Sequence, residues 1–181
     1  LYYSFLRRVT AECPALQIII IAGNHDSAAR LEAPNPLLEE MNITVRGVVK
    51  RDADGDIDLA HLIIPIYKPG AGRSQVDINI NDIAAFCLAV PYLRQGDYPP
   101  AENYAQGVQT LYRQLFAELR DEGKPVIAMG HLQATGSEIS DDDRSERTVI
   151  GGVEGISPDA FDAQIIYTAL GLSLIHISEP T

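Results

Sequence analysis

Asparagine, histidine and aspartate stand in a row at Asn24-His25-Asp26, directly after the apolar run Ile18-Ile19-Ile20-Ile21-Ala22-Gly23. A second histidine, His131, directly follows Val126-Ile127-Ala128-Met129-Gly130. An amide oxygen and a neutral imidazole nitrogen are both good donors to a divalent first-row ion such as manganese, and neither imposes the sulfur-rich set of a structural zinc site. Asn24 and His131 are therefore candidate metal ligands. His25, one residue on, must point differently from Asn24. With Asp26 near enough to orient or charge-stabilise its ring, it is placed to act on a reacting phosphate as general acid or transition-state stabiliser. Plainer readings exist for both motifs. A lone Gly-His is a weak signal that more often marks a structural histidine, and Asn-His-Asp after a strand also serves as a polar turn or a helix N-cap. Their common position after an apolar strand and a glycine favours the metal reading.

That position depends on the elements around it. A third run, Ile165-Ile166-Tyr167-Thr168-Ala169-Leu170-Gly171, has the same form. In open α/β sheets ligands sit beyond the carboxyl ends of the strands, where glycine lets the backbone turn sharply, so the three ends should converge. Before the first strand, Leu1, Phe5, Leu6 and Val9 share one helical face that stops at Cys13-Pro14. The run 16–22 reads as a strand buried on both faces. Short helices follow over 27–33 and 36–41, then strands over 43–49, 59–66 and 83–90, and a loop over 91–103. The longest helix spans 102–122, with Val108, Leu111, Leu115 and Leu119 on helical spacing, before strands at 125–129 and 164–170.

Other candidates carry less. Asp52, Asp54, Asp56 and Asp58 alternate like a calcium loop, but the glycine falls one place early and Ile63 stands where a bidentate glutamate should close it. Asp54-Gly55 is better read as a hairpin turn. His61 reads as a strand-edge histidine, and Asp141-Asp142-Asp143 as a solvated loop. The 181 residues carry a formal charge of -11, so the average surface repels phosphate backbones, and a nucleic-acid substrate would need local cations or a partner to hold it. The two cysteines lack paired spacing and fit reduced thiols in a cytoplasmic protein, and no apolar run approaches the roughly 20 residues that span a bilayer.

At Gly23-Asn24-His25-Asp26 the sequence resembles the calcineurin-like metallophosphoesterases. The longer stretches "GNHDSAARLEA", "VRGVV", "VPYLRQGD", "GHLQATGSEISDDDRSERTVIGG" and "FDAQIIYTALG" are similar, in collinear order from Leu1 to Gly171, to the DNA nuclease subunits of that family. The resemblance implies an α/β fold, a layered α/β/α sandwich of two mixed sheets, incomplete at both ends. It implies metal-dependent hydrolysis of DNA phosphodiesters at double-strand ends and hairpins, with two divalent ions, manganese foremost, an ATPase partner and a homodimer of the nuclease subunit in the cytoplasm. Asn24 and His131 would be ligands, His25 the catalytic histidine, and Asp26 its support.

Three pieces of the family pattern are missing: an Asp-x-His and a Gly-Asp motif expected upstream of Leu1, and a His-x-His expected directly after Gly171. Residues 172–181 read Leu-Ser-Leu-Ile-His-Ile-Ser-Glu-Pro-Thr instead, and His176 is displaced from the required place. That text resembles translated sequencing-adapter sequence, so residues 1–171 are expected to be a partial nuclease domain and 172–181 a non-native tail. Two other functions stay open: a metallophosphoesterase acting on a small phosphodiester or phosphoprotein, and a non-catalytic partner-binding scaffold of the same fold. With two ligands in hand the 181-residue chain is expected to be inactive as it stands; manganese-dependent cleavage by it, absent in His25→Ala, would contradict this.

Overall fold

The computed structural model describes residues 1–70, 79–119, 122–132 and 165–171. The Asp141 to Asp143 run, residues 172–181 and His176 lie outside them.

The chain opens with α1 (Tyr2–Glu12), which stops before Pro14. Of the face expected to be apolar, only Leu6 is buried, while Leu1 and Phe5 are exposed. The inner side of the helix is Leu6 with Tyr2 beside it, against Leu38, Ile43 and Val45. Spacing alone could not say which flank of the apolar stripe turns inward.

Strand β1 (Ile18–Ile21) pairs in parallel with β2 (Ile43–Arg46), Ile18 opposite Ile43 and Ile21 opposite Arg46. Parallel neighbours require a crossover. It is made by α2 (Ala28–Glu32) and α3 (Asn35–Glu39), in the two expected places. β1 was expected to be buried on both faces, but its four isoleucines are half-buried. Ile18 and Ile20 join the helix-side cluster and Ile19 and Ile21 point to the other sheet. A sheet of two strands leaves each of them an open flank.

The second sheet has the order β3-β4-β5-β6. β3 (Ile63–Tyr67) runs antiparallel to β4 (Ile83–Val90), and β5 (Val126–His131) and β6 (Ile165–Gly171) continue it in parallel. The α/β class with two sheets therefore holds. Two mixed sheets were expected; among the described residues only the larger is mixed, and the smaller is a parallel pair. Helix α5 (Tyr104–Leu119) forms the crossover from β4 to β5 and buries Val108, Leu111, Tyr112, Leu115, Phe116 and Leu119. β4 alternates with period two. Phe86, Leu88 and Val90 face α5, whereas Cys87 and Ala89 meet Ile19 and Ile21 of the first sheet. The result is helices, sheet, sheet, helix.

Two local readings change. The strand expected over 59–66 begins with a helical turn, α4 (Leu59–Leu62), because Asp58 accepts a hydrogen bond from the His61 backbone N–H at 3.1 Å and caps it. A short apolar run does not distinguish strand from buried helix. The Asp52 to Asp56 segment is the expected turn: Gly55 has φ +90°, Arg51 bridges to Ile57, and Asp52 Oδ1 accepts from the N–H groups of Asp54 and Asp56 at 3.0 and 2.9 Å.

His61 is not a strand-edge residue. It lies near the end of α4 beside a charged cluster, its Nε2 3.6 Å from Glu32 Oε1. Glu32 also meets Lys50 Nζ at 2.9 Å and accepts from the Gly47 and Val48 N–H groups at 2.8 and 3.1 Å. Arg46 donates to the His61 carbonyl. Burial first, then Arg46 and Lys50, hold the His61 imidazole down at about 4 against the opposing pull of Glu32 and Asp58. A histidine that stays neutral when folded but protonates near 6.5 when unfolded loses its stabilising contribution as pH falls through that interval. Glu32, also lowered from 4.5, adds its own loss only below that value. The melting temperature should therefore fall between pH 6.5 and 4.5, and less steeply in His61→Gln; parallel calorimetric curves for the two proteins would refute the assignment.

Candidate functional site

The three strand ends do converge. The Gly130 to His131 end of β5 lies in register with Leu170 to Gly171 of β6. The end of β1 is tied to the end of β4 by the Tyr92 N–H, which donates to the Ala22 carbonyl at 2.8 Å. Asn24 Oδ1 then lies 3.1 Å from His131 Nε2, across 107 residues of chain. The two candidate ligands therefore share one point.

Glycine serves this point differently from the sequence expectation. Neither Gly23 nor Gly130 has a positive φ. Each is small because a ring approaches it. A Cβ on Gly23 would come within 2.9 Å of His131 Cε1, and one on Gly130 would collide with the Tyr112 hydroxyl, which donates to the Met129 carbonyl. His131 itself is the last residue of β5 rather than the first after it, so the strand fixes its direction.

Burial lowers the His131 pKa, with Asp26 opposing and His25 reinforcing that shift. The ring is therefore neutral near pH 7. If Nε2 carries the proton it donates to Asn24 Oδ1; if Nδ1 carries it, Nε2 and Oδ1 offer lone pairs to a common ion. This donor chemistry fits a hard to borderline divalent metal. It is also partial. Among the described residues no group of three or more His, Cys, Asp or Glu side chains could hold an ion, and two donors do not complete a coordination sphere.

Asn24, His25 and Asp26 are exposed. Asp26 was expected to orient or charge-stabilise the His25 ring. Its Oδ2 accepts from the Gly23 N–H at 2.7 Å, closing the turn that carries Asn24. His25 makes no hydrogen bond among the described residues and lies close enough to His131 to contribute to lowering its pKa.

Two residues that the sequence reading assigned no role border the site. The Tyr92 ring meets His131 edge-on, centroids 6.0 Å apart at 79°, and the Arg94 guanidinium lies 5.7 Å from the Tyr92 centroid. Their signal was the short stretch "VPYLRQGD" following an apolar strand, which by itself says nothing of direction.

No family model matches the chain. It is similar to SbcD, the nuclease component of SbcCD, from Rhodobacter capsulatus, 34% identical over 99% of this chain and 43% of that protein. It is also similar to SbcD from Bacillus subtilis, 24% identical over 90% of this chain and 38% of that one. The chain thus spans less than half the length of these curated relatives.

The 2.9 Å approach makes Gly23 a sensitive position. Gly23→Ala should push the His131 ring off Asn24, shifting the His131 imidazole nitrogen resonances while leaving those of His61 in place, and should destabilise the fold by about 1–3 kcal/mol through overpacking. Unchanged His131 resonances in a folded variant would show that the ring is not wedged here.

Proposed function

We propose, from the premise that this is an SbcD-type chain, that it forms part of a nuclease subunit hydrolysing DNA phosphodiesters with an SbcC-type ATPase partner in the cytoplasm. The observation that carries the reading is the Asn24 and His131 pair, brought together at the carboxyl ends of two strands from different sheets. Kinship with two SbcCD nuclease components supports the substrate class. In this reading two divalent ions, manganese foremost, are held by Asn24, His131 and further donors, on a homodimer that acts at double-strand ends and hairpins.

Bound ions of this kind neutralise the scissile phosphate and lower the pKa of water for in-line attack. The residues of this chain do the rest. Asn24 is aimed by the turn that Asp26 closes onto Gly23. His131 is kept neutral by burial and so keeps a lone pair available. His25, exposed beside them, is free to meet a phosphate oxygen or the leaving alkoxide and to move a proton there, worth about 10²–10⁴-fold in rate.

Removing the two ligands and removing the catalytic histidine should have separable effects. In a full-length subunit carrying this stretch, His25→Ala should lower manganese-dependent DNA cleavage by about 10²-fold or more and keep the manganese-induced rise in melting temperature. Asn24→Ala with His131→Ala should diminish that rise, since only an ion bound to the native state raises it. A wild-type subunit with no melting shift in manganese would instead favour the scaffold reading, and one that cleaves small phosphodiesters but not DNA would favour the small-substrate reading.

A further inference from the structure

An acidic chain that acts on DNA needs a cation where the phosphate lands, and the described surface offers one that touches a neighbour of His131. The loop after β4 leaves the strand at Pro91 and is pinned to the site at several points. The Tyr92 N–H holds the Ala22 carbonyl at 2.8 Å. Asp97 Oδ2 accepts from the Arg94 N–H at 2.8 Å, and the Asp97 N–H returns to the Arg94 carbonyl at 3.0 Å. Gly96, at φ +96°, supplies the left-handed turn, and Arg51 donates to its carbonyl. Leu93, between Tyr92 and Arg94, is buried and anchors the loop in the α5 core.

A loop so fixed holds its side chains in place. Tyr92 stands edge-on to His131, whose ring also packs close to Gly23. Arg94 is exposed, lies by the Tyr92 ring, and has no ion-pair partner among the described residues. The Asp97 carboxylate nearest to it in sequence is committed to the backbone N–H. An unpaired guanidinium resting by an aromatic ring, the ring that itself meets His131 edge-on, is suited to bidentate contact with a phosphate.

We infer that the loop after β4 is the substrate-facing wall of this site, with Tyr92 a positioning residue for His131 and Arg94 a contact to a phosphate of the DNA strand. The inference rests on the nuclease reading above. It adds a residue whose work is to hold substrate rather than metal or proton.

The test is the salt dependence of binding of a fluorescein-labelled DNA hairpin to the full-length subunit, together with kcat and KM for its cleavage. Each phosphate contact contributes about -0.9 to the slope of log K against log salt. Arg94→Ala should make the slope shallower by about one such contact and raise KM about tenfold with kcat held within about twofold; Arg94→Lys should restore the slope and part of the KM. Tyr92→Ala should lower kcat by about tenfold and shift the His131 imidazole resonances, whereas Tyr92→Phe should leave both near wild type. An unaltered slope and KM in a folded Arg94→Ala protein would overturn the substrate contact, and unaltered His131 resonances in folded Tyr92→Ala would overturn the positioning role. A wild-type subunit that binds no hairpin would overturn the nuclease reading, and this inference with it.

Discussion

The packing of β1 on the middle of the larger sheet is the contact on which the rest depends. Ile19 and Ile21 meet Ile64, Cys87, Ala89 and Met129. Cys87 and Ala89 are fully buried and small, so the two sheets can approach closely at this point of β4. Burial of this kind is worth about 25 cal/mol per Å² of apolar surface and has no direction of its own. It brings the sheets together; the hydrogen bond from Tyr92 to the Ala22 carbonyl sets their register. Only with both in place does Gly23 reach the His131 ring.

From that contact the site follows in order. The missing side chain at Gly23 admits the imidazole, the Asp26 carboxylate closes the turn, and Asn24 is left facing Nε2. A neutral ring is needed for a lone pair, and partial burial lowers the His131 pKa. The candidate site sits at the rim, where Asn24, His25 and Asp26 remain exposed.

The charged cluster around Glu32 shows what an ordinary structural set of charges looks like in the same molecule. Glu32, Lys50, His61 and Arg46 join α2, β2, its following turn and α4 through backbone N–H groups and one carbonyl. Glu32 spends its oxygens on the Gly47 and Val48 N–H groups and on Lys50. Nothing there converges on an open point. The contrast with Asn24 and His131, whose two donors share such a point, separates a structural histidine from a candidate ligand better than the identity of the neighbours does.

The sequence by itself determined the strands and helices with strong periodicity: β1, β4, α5, β5 and β6 all lie within or close to the expected ranges. It also marked Asn24, His25 and His131, because both motifs share one position, directly after an apolar run and a glycine. Leu59 to Leu62, by contrast, became a helical turn through a purely local signal, the Asp58 cap, that a short apolar run obscures. Tertiary structure alone decided what patterns along the chain do not encode. Phe5 turned outward while Tyr2 and Leu6 turned in, since the choice of flank belongs to the surface α1 meets. Asp26 closed the turn onto the Gly23 N–H, a bond that the bare triplet does not announce. Tyr92, with Arg94 against its ring, came to border His131 only through the crossing of β1 with β4, an approach between residues about 70 apart in the chain that no local spacing can express.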